Sequence, residues 1–253
     1  MASRRKAEQL IREGRVTVNG KTVMEMGSKA DAETDDIRVT GMHVKRPHHL
    51  VYVALHKPKN CVTTMYDPEH RETVMDLVKG FKERIFPVGR LDYNSEGLLL
   101  LTNDGDFANA VTAAKNKVPK VYQSKTNRYL TEEQCEQFRS GVPLHGHKTA
   151  KARLRLVKRG DNPWYEVEII EGRQNQIRIM FKHFGLLVEK LRRTRIGPLH
   201  LGLLKPCDFR LLKPEEVTRF RRELGLDQKD KPAQKGKPVR KDRPARTSRP
   251  SAK

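Results

Sequence analysis

Apolar positions recur along this chain at every second residue in some stretches and at helical spacing in others, without a fixed rhythm. Ala7, Leu10 and Ile11 share one helical face; Ser3 can cap this helix, which runs to about Glu13, and Gly14 stands at its stop. Val16-Thr17-Val18 alternates as a strand, Asn19-Gly20 marks a tight turn into Lys21-Thr22-Val23, and residues 36–39 read as another short strand. Residues 51–55 form an apolar strand that ends at Lys57-Pro58, and residues 71–79 read as a short helix with Val74, Leu77 and Val78 inward. Strands at 85–88 and 98–102 flank a polar turn, the second opening on the unbroken run Leu98 to Leu101. Phe107, Ala110, Val111 and Ala114 have helical spacing behind a cap at Asn103 or Asp104. Further strands fall at 121–124, 151–157 and 164–170. Helices fall from a Thr131 cap to Arg139 and over 173–184, the latter with Ile177, Met180, Phe181 and Phe184 on one face. Strands and helices interleaved in this way, with no repeating βαβ unit, predict an α+β fold rather than a doubly wound sheet.

The pattern also divides the chain. Residues 1–44 form a small module with few core positions, residues 45–49 with Arg46-Pro47-His48 a linker, and residues 50–226 the main domain. Residues 227–253 are rich in Pro, Lys, Arg and Ser and nearly devoid of apolar side chains, and are expected to be a disordered basic tail. The tail contributes +7 of the net charge of +21, so the remainder is still strongly basic at +14. A charge of that size on the folded part points to a polyanionic partner, nucleic acid first. Cys61, Cys135 and Cys207 are widely separated and form no Cys-x-x-Cys pair, which argues against a zinc site or a disulfide framework and fits a reducing, cytoplasmic setting. No apolar run approaches the length needed to span a membrane, and no secretory leader is expected.

Three clusters are candidates for chemistry. The first is Gly89-Arg90-Leu91-Asp92, where a carboxylate stands at the edge of a strand too apolar to lie in solvent. Asp92 is either a turn residue bonding its own backbone or a nucleophile kept ionised by a cationic partner. The second is Glu171 to Phe181, where Arg173 and Arg178 stand five apart at a strand-to-helix junction. They form either an ordinary basic helix surface or a pair of guanidinium forks for carboxylate or phosphate. The third is Lys120-Val121-Tyr122, whose tyrosine is either a core residue or a platform for a base. His145-Gly146-His147 reads as a loop rather than a metal site. No phosphate-binding glycine fingerprint occurs, so no cofactor is expected.

Gly89-Arg90-Leu91-Asp92 followed by Gly97-Leu98-Leu99-Leu100-Leu101-Thr102-Asn103-Asp104-Gly105 resembles the catalytic motif of the Rsu family of pseudouridine synthases. Lys120-Val121-Tyr122 resembles that family's Lys-x-Tyr motif, Glu171-Gly172-Arg173 with Gln176-Ile177-Arg178 its third motif, and Arg195-Ile196-Gly197-Pro198-Leu199 its closing segment. The matches span about residues 50–213 in the expected order. Residues 2–20 resemble an S4 RNA-binding domain that begins inside the usual fold, its first helical segment missing. Ala114-Lys115-Asn116 stands where the family commonly has His-Pro, as in its RluB-like and RluE-like branch, and the basic tail favours the RluB-like side.

The resemblance implies a catalytic domain built on a mixed, largely antiparallel sheet flanked by helices. It also implies isomerisation of one uridine in ribosomal RNA, of the large subunit, to pseudouridine. Asp92 would be the nucleophile, by attack at the ribose C1′ or through a glycal. Arg178 would pair with it and hold it ionised. Tyr122 would stack on the uracil, and Arg90 would fill the space left by the flipped nucleotide. Arg4, Arg5 and Arg15 of the S4-like module, together with Arg173 and Gln176, would bind RNA. The expected partner is ribosomal RNA or an assembling subunit, met by a monomer with no cofactor. A non-catalytic RNA-binding or ribosome-assembly protein on the same fold is the competing reading.

Overall fold

A computed structural model of the chain describes residues 4–31, 34–44 and 49–226. The proposed Ser3 cap, the Arg4 side chain, nearly all of the 45–49 linker and the 227–253 tail lie outside the described residues. The first module contains α1 (Arg4–Arg12), β1 (Val16–Val18), β2 (Lys21–Thr22), β3 (Ile37–Val39) and β4 (Met42–His43). Its strands pair antiparallel in the order β2-β1-β3-β4. Asn19 and Gly20 both take positive φ, 51° and 78°, which is the geometry an Asn-Gly hairpin turn requires. Leu10 is its one buried apolar residue among the described residues, so this module has little core of its own.

The main sheet is built from β5 (Tyr52–Lys57), β6 (Phe86–Val88), β7 (Glu96–Thr102), β8 (Lys120–Thr126), β11 (Arg153–Lys158), β12 (Trp164–Ile169), β13 (Val188–Ile196), β14 (Leu199–His200) and β15 (Phe209–Leu211). Its order is β11-β12-β8-β13-β7-β5-β15, with β14 paired to β13 and β6 to β7. The β13–β7 pair is parallel and the other pairs are antiparallel, so the sheet is mixed and largely antiparallel, as the α+β reading expects. A small separate hairpin, β9 (Pro143–Leu144) and β10 (His147–Lys148), carries His145 and Gly146 at positive φ, so the His-Gly-His segment is the hairpin's turn and its outgoing strand. The helices are α2 (Val74–Leu77), α3 (Gly105–Thr112), α4 (Glu132–Ser140), α5 (Gln176–His183) and α6 (Pro214–Glu223).

The four leucines of β7 explain the architecture. Leu99 and Leu101 enter a core with Val74 of α2, Phe138 of α4 and Met180 and Phe181 of α5. Leu98 and Leu100 enter the opposite core with Phe107 and Val111 of α3 and Phe220 of α6. A strand buried on both faces reads as a continuous apolar run because the two-residue alternation sends side chains to two apolar layers. Each fully buried leucine contributes about 1.5–3 kcal/mol, which holds β7 and the loop before it in place. The second core ends near β13. Beyond it, that face of the sheet carries Gln123, Lys125, Trp164 and Glu166, all half-buried rather than covered by a helix.

Local expectations met the structure with small shifts. Asp104, not Asn103, caps α3 by accepting from the Phe107 N–H at 3.0 Å, while Asn103 ties β7 to the chain before β5 by accepting from the Val51 N–H at 2.7 Å. Ala114 lies in a short 3-10 turn rather than on a helical face, because α3 ends at Thr112. Asn175 in the left-handed region delays α5, so residues 173–175 form a turn rather than its first residues.

Candidate active site

The loop between β6 and β7 carries Asp92, and it is fixed from below and from the side. Gly89 turns the chain at φ 73°, and the Ser95 N–H closes the next turn on the Asp92 carbonyl at 3.0 Å. Lys57, fully buried at the end of β5, sends its ammonium into this loop. It donates to the carbonyls of Pro58 at 2.9 Å, Asp92 at 3.2 Å, Tyr93 at 3.5 Å and Ser95 at 2.9 Å. Thr63 clamps the other side, donating to the Leu91 carbonyl at 2.7 Å and accepting from the Leu91 N–H at 3.3 Å. Burial pushes Lys57 down to about 8, against the opposing pull of Cys61 and Asp92.

Asp92 is half-buried, and its carboxylate takes no hydrogen bond from any described residue. An Asp that serves its turn would spend that carboxylate on nearby backbone N–H groups; here only the main chain of Asp92 makes the turn. The carboxylate lines a cleft of about 810 Å³ together with Arg90, Lys120, Tyr122, Arg173 and Arg193. Its only acidic companion on that wall is Glu171, which is occupied with Gln176 and the Ala150 N–H at 2.7 and 3.0 Å.

Around Asp92 the cleft is cationic. Arg193 on β13 is buried; its Nε donates to the Leu98 carbonyl at 2.7 Å, its Nη1 to the Tyr122 hydroxyl at 3.4 Å, and its Nη2 has no partner among the described residues. Its guanidinium carbon lies 5.9 Å from the Tyr122 ring centroid. Lys120 is pushed down to about 8 by burial and by the charge of Arg193. Tyr122 is buried among core residues on β8 yet presents part of its surface to the cleft. Arg90 is exposed at the rim, with no hydrogen bond or ion pair among the described residues.

Three expectations change. Arg178 makes no direct ion pair with Asp92. Its guanidinium donates to the carbonyls of Val188 at 2.7 Å and Asn94 at 3.1 Å, so it braces the Asp92 loop against α5 and β13. Burial lowers Arg178, and the Asp92 charge acts on it through space in the opposite direction. Gln176 is buried and spent within the fold: its Oε1 accepts from the Arg173 N–H at 3.0 Å and its Nε2 donates to Glu171 at 2.7 Å. Its amide is thus engaged within the fold, at a position that lines the cleft. Arg173 donates to the carbonyls of His147 and Lys148 at 3.2 and 3.1 Å and lies 3.4 Å from Glu171, so its fork holds the β9–β10 hairpin rather than standing free for phosphate. In the first module, Arg5 is exposed, and Arg15 donates to Thr40 at 3.1 Å while its side chain stays largely open to solvent.

Lys57 and Arg193 escaped sequence reasoning. The available signals were a lysine closing an apolar strand before a proline, and an arginine inside the run Arg192-Arg193-Thr194-Arg195. Neither pattern indicates chemistry without the fold.

A sequence model of the RNA pseudouridylate synthase family matches residues 51–183, and one of the S4 domain matches residues 1–32. The chain belongs to the RNA pseudouridine synthase family and is an enzyme of that class. It is 42% identical over 224 residues to the ribosomal large subunit pseudouridine synthase B of Bacillus subtilis, covering 87% of this chain and 91% of that protein. An uncharacterized RNA pseudouridine synthase of Aquifex aeolicus is 40% identical over 89% of this chain and 91% of its own length. A solved crystal structure of a pseudouridylate synthase aligns at a TM-score of 0.64 and 26% identity, over 86% of this chain and 94% of that one. Among the described residues no helix is long and apolar enough to cross a membrane.

Proposed function

We propose that the chain isomerises one uridine in large-subunit ribosomal RNA, with residues 50–226 as the catalytic domain, residues 1–44 as an accessory RNA contact and Asp92 as the nucleophile. The observation that carries this reading is the Asp92 carboxylate, which is left free of hydrogen bonds while Lys57, Thr63 and Ser95 hold the backbone around it. The reaction breaks the N1–C1′ bond, turns the uracil, joins C5 to C1′ and releases the C5 proton; it is redox-neutral and needs no energy source. Asp92 detaches the base either by attack at C1′, forming a sugar ester, or by taking the C2′ proton to leave a glycal, and the ester or the proton transfer is reversed as C5 joins C1′. A uridine within a helix must leave the stack, at a cost of a few kcal/mol. Stacking on Tyr122 returns about 1–3 kcal/mol, and the unpartnered Arg90 fills the vacated space. The similarity to the ribosomal large subunit pseudouridine synthase B of Bacillus subtilis supports the choice of RNA.

Asp92→Asn keeps the volume of the side chain and removes its nucleophilicity. It is expected to abolish tritium release from uracil-5-tritiated ribosomal RNA while RNA binding persists. Undiminished release from the purified variant would remove Asp92 from the chemistry.

A further inference from the structure

On the sheet face opposite the Tyr122 side, a second groove of about 600 Å³ is lined by Lys59, Glu96, Gln123, Lys158, Trp164 and Lys190, among others. Strand pairing places Lys158, Trp164 and Lys190 of the groove in one row with Lys125. Lys158 is opposite Trp164, Trp164 opposite Lys125, and Lys125 opposite Lys190, which sets an indole between two lysines on neighbouring strands. At ~4.8 Å per strand, the row from Lys158 to Lys190 runs about 14 Å.

Charge pairing in this area is selective. Arg192 is bound to Glu96 at 2.8 Å, Lys125 to Glu189 at 2.9 Å and Arg155 to Glu166 at 3.0 Å. Lys59, Lys158 and Lys190 have no such partner among the described residues, and all three line the groove. A sheet surface kept only for solubility would spread its pairs evenly. This one pairs Arg192 and Lys125 and leaves three lining cations without an ion-pair partner among the described residues, in the groove that also holds the half-buried Trp164, the only tryptophan of the chain.

The groove and the Asp92 cleft share the catalytic loop at the start of β7. Ser95 lines the Asp92 cleft and its neighbour Glu96 lines the groove. Asn60, next to Lys59, donates its N–H to the Tyr93 carbonyl at 2.9 Å. Lys59 therefore stands at the end of the groove that adjoins the catalytic loop, and Trp164 lines the same groove.

We propose that this groove binds a short single-stranded stretch of the RNA flanking the target nucleotide, with one base stacked on Trp164 and its phosphates on Lys59, Lys158 and Lys190. An aromatic platform among cations accepts any base, because every base has a π-face, while the cations follow the backbone. The proposal rests on the reading of the chain as an RNA-acting enzyme but adds a site outside its cleft.

Trp164 reports its own occupancy. Single-stranded oligouridylate titrated into the full chain is expected to quench tryptophan fluorescence, more strongly than a duplex of equal length, and the quench is expected to titrate out with salt. Lys158→Glu with Lys190→Glu is expected to weaken the quench by about tenfold. In the same double variant kcat for tritium release at saturating ribosomal RNA stays within about twofold, while KM rises by about tenfold. Trp164→Phe is expected to retain the KM and Trp164→Ala to raise it, which separates stacking from loss of fold. An indole that is not quenched, equal quenching by duplex, or a double variant with the wild-type titration would each overturn the proposal. Failure of the functional reading is distinct: it would show as wild-type protein that quenches normally and releases no tritium.

Discussion

Lys57 occupies a position that costs the fold something and organises the site in return. A fully buried ammonium is unfavourable unless its donors are used, and four carbonyls around the Asp92 loop use them. With Lys57 held down to about 8 in the folded chain and near its ordinary value of 10.5 when unfolded, the unfolded chain binds more protons between about pH 8 and 10.5. In that window the contribution of Lys57 makes stability rise with pH. Activity is expected to fall over the same window, because the neutral amine has one donor fewer for the loop and no charge beside Asp92. Lys57→Met is expected to lower kcat by about a hundredfold through loosening of the loop and to flatten the Lys57 part of the stability profile. Denaturation midpoints and kcat measured from about pH 7 to 10 check both; parallel rather than opposed trends in the wild type would contradict this account. Arg178 acts in the same way from the other side. Its contacts to the carbonyls of Val188 and Asn94 tie the Asp92 loop to β13. Arg178→Ala is therefore expected to lower kcat by about a hundredfold with little change in KM. Weaker RNA binding at normal kcat would assign it to the phosphate backbone instead.

At the scale of the elements, β7 and β13 meet more closely than side chains permit. Gly97 stands at φ 112° opposite Arg193, and a Cβ added there would lie 2.2 Å from the Arg193 carbonyl oxygen, which is backbone and cannot move aside. Gly97→Ala is expected to cost roughly 3 kcal/mol, from overpacking and an unfavourable φ together. It is also expected to lower kcat, because Arg193 and Tyr122 shift with β13. Gly146→Ala, at φ 81° in open space at the hairpin tip, is a fitting control: about 1 kcal/mol of stability and unchanged kcat. Urea midpoints and initial rates distinguish the two. These elements also mark how far the sequence could be read. The Leu98 to Leu101 run, the Asn19-Gly20 turn and the Thr131 cap were legible because each is a local rule obeyed locally. β13 was not, since Glu189, Lys190, Arg192, Arg193 and Arg195 break its apolar pattern and find their reasons in neighbouring strands. Asp92 was legible as an expensive carboxylate, and Arg178 and Gln176 as members of a motif. The hydrogen bonds Arg178 and Gln176 make, to the Asn94 carbonyl and to Glu171, span 84 and 5 positions, and spacing alone does not reveal them.

On the scale of the whole molecule, charge is distributed in layers of different purpose. Arg90, Lys120 and Arg193 line the cleft together with Asp92, and the outer sheet face leaves Lys59, Lys158 and Lys190 without ion-pair partners among the described residues. The segment after Leu226 adds +7 to a remainder already at +14. Each phosphate contact releases condensed counterions, so the steepness of the salt dependence counts the contacts, whatever their affinity. Deleting residues 227–253 is expected to weaken binding to ribosomal RNA and to flatten the slope of log affinity against log salt. Because the Asp92 loop is held by Lys57, Thr63 and Arg178 from within the catalytic domain, kcat at saturating RNA is expected to stay within about twofold. Binding isotherms from about 50 to 200 mM salt give the slope directly. An unchanged slope would show that the terminal cations do not touch the RNA, and a loss of kcat would show that they act on the site itself.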